Sequence, residues 1–181
     1  KKMLANKLSR EELQAKLDAE TFHRTTVSFY KYVIIENPQE LRDALFAQWS
    51  QWDCLGRIYV SREGINAQMN VPEHHWDAFD AFIHGIEYFH DVPFKLAVTD
   101  KTEGKSFLKL VVKVREQIVA DGLQPEDYDV TDVGAHLTAK DWNEAIEKHD
   151  PVVVDMRNHY ESEIGHFEGA VLPEAETFRE E

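Results

Sequence analysis

The stretch "GRIYVSREGINAQMNVP", residues 56 to 72, constrains this chain most. Ile65, Ala67, Met69 and Val71 alternate with polar Asn66, Gln68 and Asn70, and Arg62-Glu63-Gly64 supplies a turn between two such runs. A period of two puts the apolar set on one face of an antiparallel hairpin, and that face needs a cover. The sequence offers two. After Pro38, Leu41, Ala44, Leu45, Trp49 and Trp52 recur at helical spacing, and after Pro72 so do Trp76, Phe79, Ile83 and Ile86.

Three further runs read as strands: Thr25 to Ile35 in "RTTVSFYKYVII", then "FKLAVTD", then "KSFLKLVVKVRE". Ser9 with Glu12 three residues later is a capping box for a short opening helix carrying Leu13 and Leu17. The order βαββαβ predicts an α+β, ferredoxin-like domain in which two helices cover one side of an antiparallel sheet. Gly64 is expected to be a turn glycine with positive φ.

The formal charge of -14 is unevenly distributed. Residues 1 to 120 hold 16 Lys and Arg against 17 Asp and Glu, whereas residues 121 to 181 hold 4 against 17. The step falls in "ADGLQPEDYDVTDVGAH", which has neither helical nor strand period. Two domains are therefore expected, residues 1 to 120 and 136 to 181, joined by a linker over 121 to 135. No apolar run is long enough to span a bilayer, and the single Cys54 leaves no disulfide within the chain, so a cytoplasmic location is expected.

Within the last third, Thr138 and Asp141 cap a helix bearing Trp142, Ala145 and Ile146. Val152, Val153, Val154 and Met156 around Asp155 then read as a strand covered on both faces, the start of an α/β domain.

The chemistry-bearing candidates lie mainly in the fifth strand. Alternation sends Lys105, Phe107, Lys109, Lys113 and Arg115 to one face, matching a phosphate backbone with a ring for base stacking. The competing reading is an edge strand whose lysines discourage edge-to-edge pairing. Arg24, Lys31, Arg57 and Arg62 extend the patch if their side chains share its face. His74 and His75 point apart on a helix, and His84 and His90 lack ligand neighbours, so no metal or other cofactor site is expected in this chain. Cys54 has no adjacent base and reads as an inert buried thiol.

"DMRNHYESEIGHFEGA" resembles the first signature of rhodanese-like domains, through Asp155, Arg157, Glu161, Gly165, His166, Gly169 and Ala170, residues that in such domains hold the scaffold. With "TTVSFYKY", "GRIYVSREGINAQ" and "KVREQIVADGL" before it, nearly the whole chain resembles the bacterial rhodanese-containing tRNA uridine hydroxylases. The resemblance implies a tRNA partner, molecular oxygen as co-substrate, and 5-hydroxylation of the wobble uridine dependent on a rhodanese cysteine. In that family the cysteine follows this signature by several tens of residues, beyond Glu181. The chain is accordingly expected to be an inactive amino-terminal fragment that stops inside its second domain. A sulfurtransferase activity, or a first domain that serves only as an interaction module, are the alternatives.

Overall fold

A computed structural model of the chain describes residues 8–97, 107–118, 129, 132–157 and 159–173. Lys105 and most of the expected linker lie outside them. The chain divides into two compact units, Lys1–Ile118 and Val119–Glu181.

The first unit opens with α1 (Arg10–Asp18), where the capping box is complete: the Glu12 N–H donates to Ser9 Oγ and the Ser9 N–H to Glu12 Oε2. The elements that follow are β1 (Arg24–Tyr32), α2 (Pro38–Gln51), β2 (Leu55–Ser61), β3 (Gly64–Pro72), α3 (Trp76–His84), β4 (Lys95–Leu96) and β5 (Leu110–Val114). Asn37 caps α2 through Oδ1, which accepts from the Glu40 N–H, and Pro38 occupies the first turn, where its missing N–H is no loss.

The five strands form one sheet in the order β4-β1-β3-β2-β5. The first four pair antiparallel, as the βαββαβ order predicts. The fifth departs from that plan and lies parallel to β2, with Ile58 opposite Val112 and Val60 opposite Val114. Three strands are shorter than the sequence suggests, and among the described residues β4 spans only Lys95–Leu96 of the expected "FKLAVTD" run. β1 stops at Tyr32, where the N–H groups of Val33 and Ile35 turn to the Glu63 and Arg62 carbonyls, and β5 begins only at Leu110.

One sheet face carries the core. Val27, Phe29, Ile58, Val60, Ile65, Ala67, Met69, Val71 and Val112 are buried together with Leu45 and Trp49 of α2 and Phe79 and Ile83 of α3. Each Val, Leu, Ile, Met or Phe side chain among them contributes about 1.5 to 3 kcal/mol through removal from water. Two contacts fix the β5 end of this layer: Arg42 Nε donates to the Val112 carbonyl at 3.1 Å, and the Ile118 N–H to the buried Glu63 carboxylate at 2.5 Å.

Gly64 turns β2 into β3 with φ of 144°, and a Cβ there would sit 2.0 Å from the Lys31 carbonyl oxygen. Only glycine fits.

His84, at the end of α3, places Nε2 3.0 Å from the Val92 carbonyl and Nδ1 against the Asp80 carboxylate. The Val92 carbonyl, helped by Asp80, raises its pKa above the ordinary 6.5. The protonated ring donates from both nitrogens, so its contribution to stability is complete below 6.5 and is lost as pH rises through the higher folded value. Denaturant midpoints measured across this range should fall with rising pH in the wild type, and the fall should vanish in His84→Phe. A parallel decline in both proteins would assign the effect elsewhere.

The second unit contains α4 (Ala139–His149) and α5 (His159–Ile164), with an isolated parallel bridge between Val154 and Val171. Thr138 Oγ1 accepts from the Asp141 N–H and caps α4 as its sequence predicts. Among the described residues of this unit only Ser162 is buried, while Val152 is 80% exposed and Ile164 87% exposed.

Candidate nucleic-acid interface

Among the described residues, the five strands contain no Asp or Glu, although the chain has 34. Their cations divide by face. Because core residues alternate with outward ones, pairing register identifies the face turned away from α2 and α3. Tyr30 of β1 lies opposite Asn66 of β3, Asn66 opposite Tyr59 of β2, and Tyr59 opposite Lys113 of β5. The adjacent row runs Lys95, Ser28, Gln68, Arg57, Val111 across all five strands. Arg57, Gln68, Lys95 and Lys113 are exposed, and Tyr30 is 46% exposed. Just past β5, exposed Arg115 places its guanidinium carbon 5.2 Å from the Tyr59 ring centroid, and Lys95 Nζ sits 5.2 Å from that of Tyr30. These contacts hold two cations beside aromatic rings, an attraction of about 0.5 to 1 kcal/mol each at exposed sites.

The sequence candidates sort accordingly. Arg57, Lys113 and Arg115 come together on this face. Lys109 is exposed immediately before β5, Phe107 is half-buried, and Arg62 is exposed in the β2–β3 turn. Two candidates do not join this exposed patch. Arg24 is 6% exposed: its Nε and Nη2 donate to the Glu20 carboxylate at 2.8 and 2.7 Å, and its Nη1 to the carbonyls of Asp53 and Asn70. Lys31 shares the parity of Val27 and Phe29, so it lies at the helix side of β1, paired with Asp91. The sequence reading missed Tyr30, Tyr59, Asn66, Gln68 and Lys95. The available signal was parity: with Val27 and Phe29 inward, Tyr30 must face outward, an aromatic placed where burial does not explain it.

A cavity of about 360 Å³ is lined by Leu13 and Leu17 of α1 with Arg24, Phe46, Cys54 and Leu110. Burial pushes the Cys54 thiol up to about 12, and the nearby Arg24 charge offsets only part of that. An unionised thiol is a poor nucleophile. Ellman's reagent should leave the native chain unlabelled at mildly alkaline pH and titrate one thiol after denaturation; rapid native labelling would show that the cavity opens. Among the described residues no group of His, Cys, Asp and Glu side chains is arranged to hold a metal ion, and no helix is long and apolar enough to cross a membrane.

In the second unit Arg157 grips Asp155 with three hydrogen bonds, its backbone N–H to Oδ1 at 3.1 Å, Nε to Oδ1 at 2.9 Å and Nη2 to Oδ2 at 2.6 Å, and Nη2 also reaches the Gly165 carbonyl at 2.7 Å. These bonds hold the Asp155 carboxyl down at about 2. His166 adds a ring nitrogen 2.9 Å from the Ser162 carbonyl, so the signature residues tie the bridge strand to the turn that follows α5.

Comparison with known proteins places this geometry. Residues 24–118 match the family described as the UPF0176 acylphosphatase like domain. A protein of Leptospira interrogans named tRNA uridine(34) hydroxylase is 53% identical over 181 residues, all of this chain and 49% of the relative. Proteins of the same name from Yersinia enterocolitica and Cronobacter sakazakii are 46% and 47% identical over 99% and 98% of the chain. The chain spans about half the length of these curated relatives. The match over residues 24–118, more than half of the chain, shows that the chain belongs to the UPF0176 family, with those residues as that family's acylphosphatase-like domain.

Proposed function

We propose that the domain of residues 24–118 recruits tRNA within a longer protein that hydroxylates the wobble uridine to 5-hydroxyuridine. The observation that carries this reading is the gathering of Arg57, Lys113 and Arg115 on one exposed face of a sheet without a carboxylate, in a chain whose net charge is -14. A negatively charged protein that keeps one face cationic attracts a polyanion there. The relatives' name, tRNA uridine(34) hydroxylase, supports hydroxylation of a tRNA uridine.

In this reading the second unit begins a rhodanese-like domain. The Arg157–Asp155 pair holds its first turn, and further chain covers the apolar Val152, Tyr160 and Ile164. The oxidative chemistry belongs to that further length, with molecular oxygen as co-substrate and a cytoplasmic setting where tRNA is found. The residues of this chain bind and orient.

The test is nucleoside mass spectrometry of tRNA from cells lacking the full-length gene. Loss of 5-hydroxyuridine, restored by the wild-type protein and poorly restored by a stably expressed Arg57→Ala/Lys113→Ala/Arg115→Ala variant, is the expected result. Unchanged 5-hydroxyuridine in the deletion strain would sink the reading, and thiosulfate sulfur transfer by the full-length protein would favour a sulfurtransferase instead.

A further inference from the structure

A duplex and a single strand offer a cationic surface the same phosphates but not the same bases. In a stacked strand the planes lie about 3.4 Å apart, closed to a side chain unless the step is unstacked at a cost. Tyr30 and Tyr59 are separated by one intervening strand, β3, at Asn66. Two strand spacings set them roughly 10 Å apart. Rings at that separation cannot take neighbouring bases of a stacked run, but they suit bases that have left the stack, as in loops. Between and beside the rings stand uncharged groups that both donate and accept, Asn66, Gln68 and Ser28, and each ring already carries a cation at 5.2 Å. Cations flanking spaced aromatic rings are the combination by which single strands are held without dependence on sequence.

We infer that this sheet face is a platform for an unpaired RNA segment, one unstacked base on Tyr30 and another on Tyr59. Lys95 and Arg115 exchange their rings for the flanking phosphates as the bases arrive. Asn66, between the rings, meets base edges. The inference deepens the tRNA reading and rests on it: it assigns the face to a loop rather than to a paired stem.

The experiment uses the 181-residue chain and two fluorescently labelled RNAs of equal phosphate number, a stem-loop with an open loop and a fully paired duplex, in anisotropy titrations at several salt concentrations. The wild type should prefer the stem-loop. Tyr30→Ala and Tyr59→Ala should each weaken stem-loop binding about 5- to 150-fold, leaving the duplex affinity and the salt slope unchanged. Tyr→Phe at either position should retain the preference, because the π face remains. Tyr→Leu, which keeps apolar bulk, should lose it, and thermal melts confirm that every variant is folded. Equal affinity for both RNAs, unchanged by the alanine and leucine variants, overturns the platform and leaves tRNA recruitment by charge standing. Absence of binding to either RNA at low salt by the folded chain overturns both.

Discussion

Glu20→Ala should lower the stability of the first unit by about 3 to 5 kcal/mol, the largest effect expected of any exchange at a position that looks peripheral in the sequence. Glu20 follows α1 and carries the two carboxylate oxygens that receive Nε and Nη2 of Arg24. The Arg24 side chain is 2% exposed and that of Glu20 12%. A guanidinium so placed cannot lose its charge at any pH a protein survives. With the carboxylate gone it keeps the Asp53 and Asn70 carbonyls, at 2.8 and 3.3 Å, and the Phe22 ring at 5.3 Å, none of which carries a negative charge to balance a full positive one out of water. Removing one member of a buried pair therefore costs far more than the pair itself contributes. Arg24→Met combined with Glu20→Ala should recover much of the loss, because no unpaired charge is left. Thermal unfolding followed by circular dichroism measures this, and the single variant should melt more than about 10 °C below wild type. A single-variant shift no larger than that of the double variant would mean that water reaches Arg24.

The second large effect concerns binding. Arg57→Ala/Lys113→Ala/Arg115→Ala should reduce tRNA affinity on the order of a hundredfold near 0.1 M salt and lower the slope of log affinity against log salt by about 3. The three side chains share one exposed face and the five strands supply no carboxylate that would already neutralise them. Each phosphate contact releases close to one condensed counterion, so lost contacts appear in the slope as well as in the affinity. Lys148→Ala is the matched control, since Lys148 pairs with Glu144 on α4 at 2.9 Å. Filter-binding titrations with unmodified tRNA give both quantities. Equal slopes for the triple variant and the control would return the β5 lysine to edge protection, the competing reading of that strand.

Sequence alone determined what depends on neighbours within a few residues. The capping groups at Ser9, Asn37 and Thr138 each bond a backbone N–H three positions on, and the inward set of β3 follows from strict alternation around the Gly64 turn. Helix stripes and hairpin period are local in this sense, so the βαββαβ order was legible. Tertiary structure decided everything that depends on pairing across tens of positions. Parallel addition of β5 to β2 brought Lys113 beside Tyr59, and the β1–β3–β2 register brought Tyr30 into the same row through Asn66. Two arginines of adjacent interest, Arg24 and Arg57, look alike in a list of cations. One met Glu20 and two carbonyls and was buried, while the other, opposite Gln68, stayed in solvent. Alternation tells which residues share a face, but the identity of that face, covered or open, is fixed only when the sheet has assembled and the helices have chosen a side.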